Sequence, residues 1–232
     1  MYAAMPALLK EAILHAYEAC GWDLVSSLPA EDDVFPTFLD LQESLIHVIE
    51  ETAYDQETKG NYTGSLVTRV KSLTNGINGQ IFCDGEIENN LLFDENVIID
   101  LSRVGSSETK SFMMGILVMR LNEHRMANAT TLNSPLRHVT ILEEAHHLLK
   151  RTSTEQSAEG SNLAGKSVEM LSNAIAEMRT YGEGFIIVDQ SPNMLDLSAI
   201  RNTNTKIILR LPDETDRQLV GKAAGLTDEQ LT

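Results

Sequence analysis

The sequence is poor in cysteine, in basic residues and in long apolar runs. Its two cysteines, Cys20 and Cys83, lie far apart with no CxxC spacing, which disfavours a disulfide framework and a zinc knuckle. The 18 basic residues are outnumbered by 34 acidic ones, and the net charge of −16 excludes a free-standing basic nucleic-acid module, because phosphate binding needs a field of opposite sign. No apolar run approaches the roughly 18 residues that cross a bilayer, and residues 1–10 do not resemble a signal peptide. We therefore expect a cytoplasmic protein with no membrane partner.

The chain does contain enough apolar sequence for a sizeable core, since 42% of its 232 residues are hydrophobic. Residues 1–80 have the apolar periodicity of helices. Apolar side chains recur at steps of three and four in residues 6–20, 38–52 and 62–74. The first part of the chain is therefore predicted to be a helical segment.

Residues 81–232 show a different pattern, in which short runs rich in Val, Ile and Leu are separated by helical stretches. Strands buried on both faces read as continuous apolar runs and are typical of parallel sheets. The predicted strands are residues 96–101, 139–142, 185–188 and 206–211, and the predicted helices are residues 112–126 and 166–181. We therefore predict an α/β region with a mostly parallel sheet in residues 81–232.

Two carboxylates, Glu143 and Glu144, directly follow the predicted strand 139–142. Ligands of open α/β sheets gather beyond the carboxyl ends of the strands, where one carboxylate can hold Mg²⁺ through water and its neighbour can polarise an attacking water. This pattern resembles a Walker B strand, with Glu143 in the metal position and Glu144 as the base. The alternative interpretation is a strand followed by a helix with an acidic first turn, because the helix dipole favours acidic residues there.

Gln190 lies close behind the next predicted strand, residues 185–188, and Pro192 ends regular structure just after it. An amide at this place can donate to a phosphate oxygen or orient water without a change of charge. Gln190 is therefore a candidate sensor of a γ-phosphate, and a turn residue that caps the strand is the alternative.

Two segments approach the phosphate-loop pattern G-x4-G-K-S. Residues 160–167 match it at every position, but a polar stretch precedes them where the pattern demands a strand, and they lie downstream of the Walker B candidate. Residues 105–111 have a strand before them, but Thr109 replaces the second glycine and Glu108 puts a negative charge in a loop that should attract anions. Neither segment is expected to hold phosphate.

The adjacent histidines His146 and His147 follow the two carboxylates without HExxH spacing. Neighbouring residues of a helix point in different directions. A zinc site is therefore disfavoured.

Several motifs, taken together and in this order, resemble the HerA branch of the HerA/FtsK ATPases. These are the strand ending in Asp100-Leu101-Ser102, the segment Ile141-Leu142-Glu143-Glu144-Ala145-His146, the run from Glu177-Met178-Arg179 to Asp189-Gln190-Ser191-Pro192, and the closing segment Asn204 to Leu211. The resemblance covers the α/β region and extends more loosely over the helical start.

This resemblance implies a RecA-like P-loop core in a hexameric ring motor, a homo-oligomer that hydrolyses ATP with Mg to translocate or unwind double-stranded DNA, with a nuclease as a possible partner. It implies Walker B roles for Glu143 and Glu144 and the sensor role for Gln190. Arg179 or Arg201 would be the arginine supplied across a subunit boundary, and the resemblance does not decide between them. An arginine in that role is worth about 10³ to 10⁵ in rate.

One part of the family's pattern is missing, because nothing upstream of Val97 offers a glycine-rich turn from strand to helix. We therefore expect residues 81–232 to be an incomplete RecA-like core, from the Walker B strand onward, in the C-terminal part of a longer motor. By analogy with the family the missing strand is central in the sheet, so its loss should leave unpaired backbone groups beside apolar side chains. The chain by itself is predicted neither to bind ATP tightly nor to hydrolyse it.

Two alternatives remain. The chain could be a non-catalytic assembly or interaction module on a RecA-like scaffold. It could also be a self-sufficient nucleotide hydrolase that uses Lys166 and Ser167 of the segment 160–167.

Overall fold

The computed structural model describes residues 4–30, 34–131, 133–152 and 163–231, except for the side chains of residues 163 and 164. The chain divides into two compact units, Met1–Glu86 and Ile87–Thr232. We call them the N-terminal unit and the C-terminal unit.

The N-terminal unit is mainly helical, as its apolar periodicity predicts. A π-helical turn, Thr63–Val67, joins two of its helices, so the predicted helix 62–74 begins earlier, at Gln56, where the Asp55 side chain accepts a hydrogen bond from the backbone N–H of Thr58. The core is built around Leu45 and Ile49, which are almost fully buried. The elements are α1 (Met5–Ala19), β1 (Trp22–Asp23), β2 (Leu28–Pro29), α2 (Phe38–Glu51), α3 (Gln56–Tyr62), α4 (Thr68–Thr74) and α5 (Gly76–Ile81).

The C-terminal unit combines helices with a small parallel sheet. Its elements are α6 (Asn89–Phe93), α7 (Ser107–Ala127), β3 (His138–Glu143), α8 (Leu163–Met178), β4 (Glu183–Val188), α9 (Leu197–Asn202) and α10 (Glu214–Ala223). Single turns of 3-10 helix lie at Ala145–His147, Arg179–Tyr181, Pro192–Met194 and Asp228–Gln230.

Strands β3 and β4 are parallel and in register from the pair His138 and Glu183 to the pair Glu143 and Val188. One face of this sheet packs on α7 and α8 through Leu142, Phe185 and Ile187, in a core that includes Val118, Leu121, Ile175 and Met178. The opposite face carries Val139, Ile141, Ile186 and Val188, which are 40–59% exposed. The prediction of strands 139–142 and 185–188 is confirmed, but the expectation that helices cover both faces is wrong for the described residues.

The other two predicted strands, residues 96–101 and 206–211, are wrong. Both segments are irregular, and neither is hydrogen-bonded into the sheet. A strand needs a neighbour for its backbone N–H and C=O groups, and an apolar sequence alone does not supply one. The described residues thus form a mixed helix and strand structure with a two-stranded parallel sheet, and a complete RecA-like sheet is not present among them.

Gly182 makes the turn from α8 into β4. Its backbone is left-handed, with φ at +86°, and a Cβ atom there would lie 2.5 Å from the carbonyl oxygen of Pro135. Only glycine fits such a close approach without displacement of the backbone. The turn therefore requires glycine at position 182 for structural reasons.

In the described part of the chain, no helix has both the length and the apolar character needed to span a membrane.

Candidate functional site

The carboxyl ends of β3 and β4 bring together polar side chains that are far apart in sequence. Glu143 is the last residue of β3 and is paired in register with Val188, the last residue of β4. Because the strands are parallel, the residues that follow them, Glu144 and Asp189, emerge at the same edge of the sheet. This edge is the candidate functional site.

Glu143 and Glu144 differ in conformation and surroundings. The Glu143 side chain is exposed and forms no hydrogen bond or ion pair with another described residue. Glu144 has a left-handed backbone, with φ at 50° and ψ at 47°, which is uncommon for a residue other than glycine, asparagine or aspartate. Backbone strain of this kind persists only where the surroundings enforce it, and it is enriched at functional sites.

Gln190 contacts Glu144 directly. Its Nε2 donates a hydrogen bond of 2.9 Å to Oε1 of Glu144. The structure thus brings together two residues, 46 positions apart, that the sequence singled out independently.

Asp189 and His146 also belong to this site, and sequence reasoning assigned neither of them. The Asp189 side chain is 2% exposed, and its Oδ2 accepts hydrogen bonds from the backbone N–H of His146 at 2.8 Å and from Nδ1 of the same residue at 2.9 Å. The available signal was an aspartate directly after a buried strand and beside the sensor candidate. Its partner could not be read from spacing, because the two residues are 43 positions apart.

The start of α7 lies against the turn after β3. The hydroxyl of Ser107 is 3.1 Å from Nδ1 of His147, and the hydroxyl of Ser111 donates to the His147 carbonyl. Burial, followed by the charges of His146 and Lys110, lowers the pKa of His147 below its ordinary value despite the opposing effect of Glu144 and Asp189. The neutral imidazole is therefore favoured near neutral pH, which allows its Nδ1 to accept a hydrogen bond from Ser107.

The two candidate arginines are not part of this cluster. Arg179 lies in the 3-10 turn before β4, at the opposite end of a strand about 20 Å long from Gln190. Arg201 lies near the end of α9. Both side chains are exposed, and neither forms an ion pair with another described residue. An arginine that acts on a neighbouring subunit would not contact its own site, so the choice between the two remains open.

Neither lysine segment provides a visible phosphate cradle. Residues 160–162 of the segment 160–167 lie outside the described residues, so its glycine-rich start has no structural account. In the segment 105–111, the Ser106 hydroxyl accepts from the backbone N–H of Thr109 and donates to the Glu108 carboxylate at 2.9 Å. A negative side chain thus occupies the helix start, where an anion would have to bind.

One exposed carboxylate, that of Glu143, is available to a hydrated metal, and no complete nucleotide site is present among the described residues. Mg²⁺ usually keeps several waters and uses one or two carboxylates together with substrate phosphates, a role for which Glu143 is available. No group of three or more His, Cys, Asp or Glu side chains able to hold a metal ion occurs among the described residues. The lysine and amide cradle that ATP needs is likewise not found among them, so no reaction step is assigned to ATP here.

A second polar cluster lies at the other end of the sheet and contains a buried ion pair. The Glu183 side chain is fully buried and accepts hydrogen bonds from Arg125 Nε at 2.8 Å and from the Thr140 hydroxyl at 2.6 Å, and its carboxylate lies 2.9 Å from Nδ1 of His138. Arg125 also binds Asp94, and these partners raise its pKa although burial opposes the charge. Because every charge in this cluster has a partner, we assign it a structural role.

Comparison of the chain with protein-family models, with curated proteins and with solved structures finds no match. The functional inference below therefore depends on the residues and on their geometry.

Proposed function

We propose that the chain is the portion of an ATP-driven double-stranded DNA translocase or helicase of HerA type that carries the Walker B acids and the sensor glutamine. The observation that supports this most is the hydrogen bond between Gln190 and Glu144 at the carboxyl ends of two parallel strands. An amide that orients a water has to lie near the group that polarises this water, and Gln190 and Glu144 are in hydrogen-bond contact.

In this proposal Glu143 would hold Mg through water, Glu144 would be the group that polarises a water, and Gln190 would orient that water. The lysine and amide cradle for ATP comes from polypeptide outside the described residues, and Arg179 or Arg201 acts on a neighbouring subunit of a hexameric homo-oligomer. With a net charge of −16, DNA contacts would be local or shared with other chains of the ring, and a nuclease is a possible partner. The chain alone is expected to be inactive.

A non-catalytic assembly module is the second candidate. It is favoured by the exposed apolar face of the sheet, where Ile141 and Ile186 are 59% and 49% exposed and are paired in register. Contiguous apolar surface of this kind is typical of protein interfaces.

Nuclear magnetic resonance with the complex of Mn²⁺ and ATP tests the nucleotide role. Mn²⁺ prefers the same oxygen ligands as Mg²⁺, and its unpaired electrons broaden the signals of nearby nuclei. At millimolar concentrations of the complex, the backbone amide signals of Glu144 and Gln190 should lose intensity before those of the rest of the chain. Glu143→Gln should abolish the loss, and Glu123→Gln, a change of an exposed glutamate on α7, should preserve it.

Four outcomes would contradict the proposal. Equal broadening by Mn²⁺ without ATP would indicate unspecific metal binding by an acidic protein. No broadening at this edge would favour the assembly module. Loss of the effect in Lys166→Ala would favour the self-sufficient hydrolase, as would magnesium-dependent ATPase activity of the purified chain that Glu144→Gln abolishes.

A further inference from the structure

Asp189 is the most completely bonded residue of the candidate site. Its buried carboxylate accepts two hydrogen bonds from His146 on Oδ2 and one from the backbone N–H of Ser191 on Oδ1, at 2.9 Å. A buried carboxylate is costly unless such bonds compensate the loss of water, and bonds to a charged acceptor are about twice as strong as neutral ones. Asp189 therefore ties the turn after β3 firmly to the end of β4.

This arrangement defines which ring nitrogen of His146 faces the carboxylate. An ionised carboxylate only accepts hydrogen bonds, so the Nδ1 atom that lies 2.9 Å from Asp189 has to carry a proton. The same Nδ1 edge lies 3.6 Å from Oε2 of Glu144, which is beyond hydrogen-bond range but close enough for a favourable electrostatic contact.

Glu144 consequently lies between two side chains. Gln190 binds one carboxylate oxygen, and the protonated edge of His146 faces the other. The left-handed backbone of Glu144 is unfavourable for a residue with a Cβ atom, so this conformation needs support from its surroundings.

We propose that Asp189 and His146 are a positioning pair for Glu144, in which Asp189 orients the imidazole and the imidazole holds the Glu144 carboxylate against Gln190. The pair acts through Glu144, and the catalytic meaning of the pair rests on the proposed function. Neither residue is assigned a role by the strand-end pattern that identifies Glu143, Glu144 and Gln190.

The side-chain amide of Gln190 reports the position of Glu144. Its two proton signals, assigned by their loss in Gln190→Met, should be displaced from the free-amide position because one proton is bonded to Glu144. His146→Asn and His146→Gln form a matched pair, since both introduce an amide but only asparagine places its nitrogen where Nδ1 of histidine lies. We expect His146→Asn to keep the displaced signal and His146→Gln to return it to the free-amide position.

The thermal unfolding midpoint of both variants is the control, because equal midpoints exclude a change in fold as the cause of the difference. The proposal is wrong if both variants keep the displaced signal or if both lose it. It is also wrong if long-range proton–nitrogen spectra of the unmodified chain place the neutral His146 proton on Nε2, a measurement that needs no variant.

None of these measurements requires a nucleotide, so the two proposals can fail separately. A displaced Gln190 signal that depends on His146, without broadening by the Mn²⁺ and ATP complex, would retain the positioning pair and reject the nucleotide role. Broadening at this edge, together with a Gln190 signal that does not change in the His146 variants, would retain the nucleotide role and reject the positioning pair.

Discussion

At the scale of single residues, Glu144 combines an unfavourable backbone with a candidate catalytic side chain. Its left-handed conformation is one that glycine adopts without steric cost. The fold could therefore use glycine at this position without strain. The glutamate provides what glycine cannot, which is the hydrogen bond with Gln190.

Glu144→Gly should be more stable than Glu144→Ala by about 1 kcal/mol, because both variants lose the carboxylate and only glycine relieves the strain. Urea denaturation followed by circular dichroism measures the difference. An alanine variant as stable as the glycine variant would show that the residue is not strained.

Substitution of Glu183 or Arg125 should cause the largest loss of unfolding free energy that we expect from a single change in the C-terminal unit. Glu183→Leu removes the fully buried carboxylate partner of Arg125 and leaves only the partly exposed Asp94 to compensate the guanidinium, so it should cost about 3 kcal/mol. The double variant Glu183→Leu with Arg125→Leu should cost less than the sum of the two single changes, because the charge is removed together with its partner.

Chemical denaturation of the four proteins in this cycle gives the coupling energy. Glu123→Gln, an exposed change on α7, should stay within about 0.5 kcal/mol of the unmodified chain. Additive single changes would contradict a coupled pair.

The candidate site was predictable from the sequence only in part. Glu144 and Gln190 could be selected because each lies beside the end of an apolar run, and strand ends of a parallel sheet share one edge. Asp189 and His146 could not be paired in this way, since their contact depends on the turn geometry after β3.

At the scale of secondary structure, the helix starts follow local chemistry closely. α2 begins with a capping box, in which the Thr37 side chain accepts from backbone N–H groups and the Asp40 side chain accepts from the backbone of Thr37. The hydrogen bond from the Thr37 hydroxyl, and then that from its backbone N–H, lower the pKa of Asp40.

This cap should make the thermal stability of the chain depend on pH. Because the folded-state pKa of Asp40 lies below its unfolded value of about 3.9, the contribution is complete above that pH and is lost as the pH falls through the folded pKa. The thermal midpoint of the chain should therefore exceed that of Asp40→Asn at pH 7, and the gap should close towards pH 2. A gap that is constant with pH would contradict the cap.

Helices were predicted better than strands for a physical reason. A helix bonds within its own segment, so the apolar periodicity suffices to locate α1 and α2 to within one residue, whereas α7 begins five residues before its predicted start. A strand depends on a neighbour that its own sequence does not specify. The apolar segments 96–101 and 206–211 read as strands but remain irregular, because no strand pairs with them among the described residues.

At the scale of the whole molecule, a large negative charge accompanies exposed apolar side chains. Ile98, Ile207 and Leu209 are 81–95% exposed, and the outer edges of β3 and β4 are unpaired in the sheet that the structure describes. Unpaired edges of this kind promote association between chains, whereas a net charge of −16 opposes it.

Self-association should therefore increase with salt, which screens the charge over a distance of about 10 Å at 0.1 M. Sedimentation velocity in 0.05 M and 1 M sodium chloride measures this. Ile141→Lys, on the exposed sheet face, should weaken the association, whereas Ile77→Lys, an exposed change in the N-terminal unit, should not. Equal effects of the two substitutions would reject the sheet as the site of association.

The irregular segment 204–211 connects α9 to α10, and α10 is also attached through the hydrogen bond from the Asn193 backbone N–H to Asp216, at 2.7 Å. A protease that cuts after exposed aliphatic residues would find its substrate at Ile207 or Leu209. The C-terminal fragment would then stay bound to the rest of the molecule, so that the nicked chain would run as one species on a sizing column and as two bands on a denaturing gel.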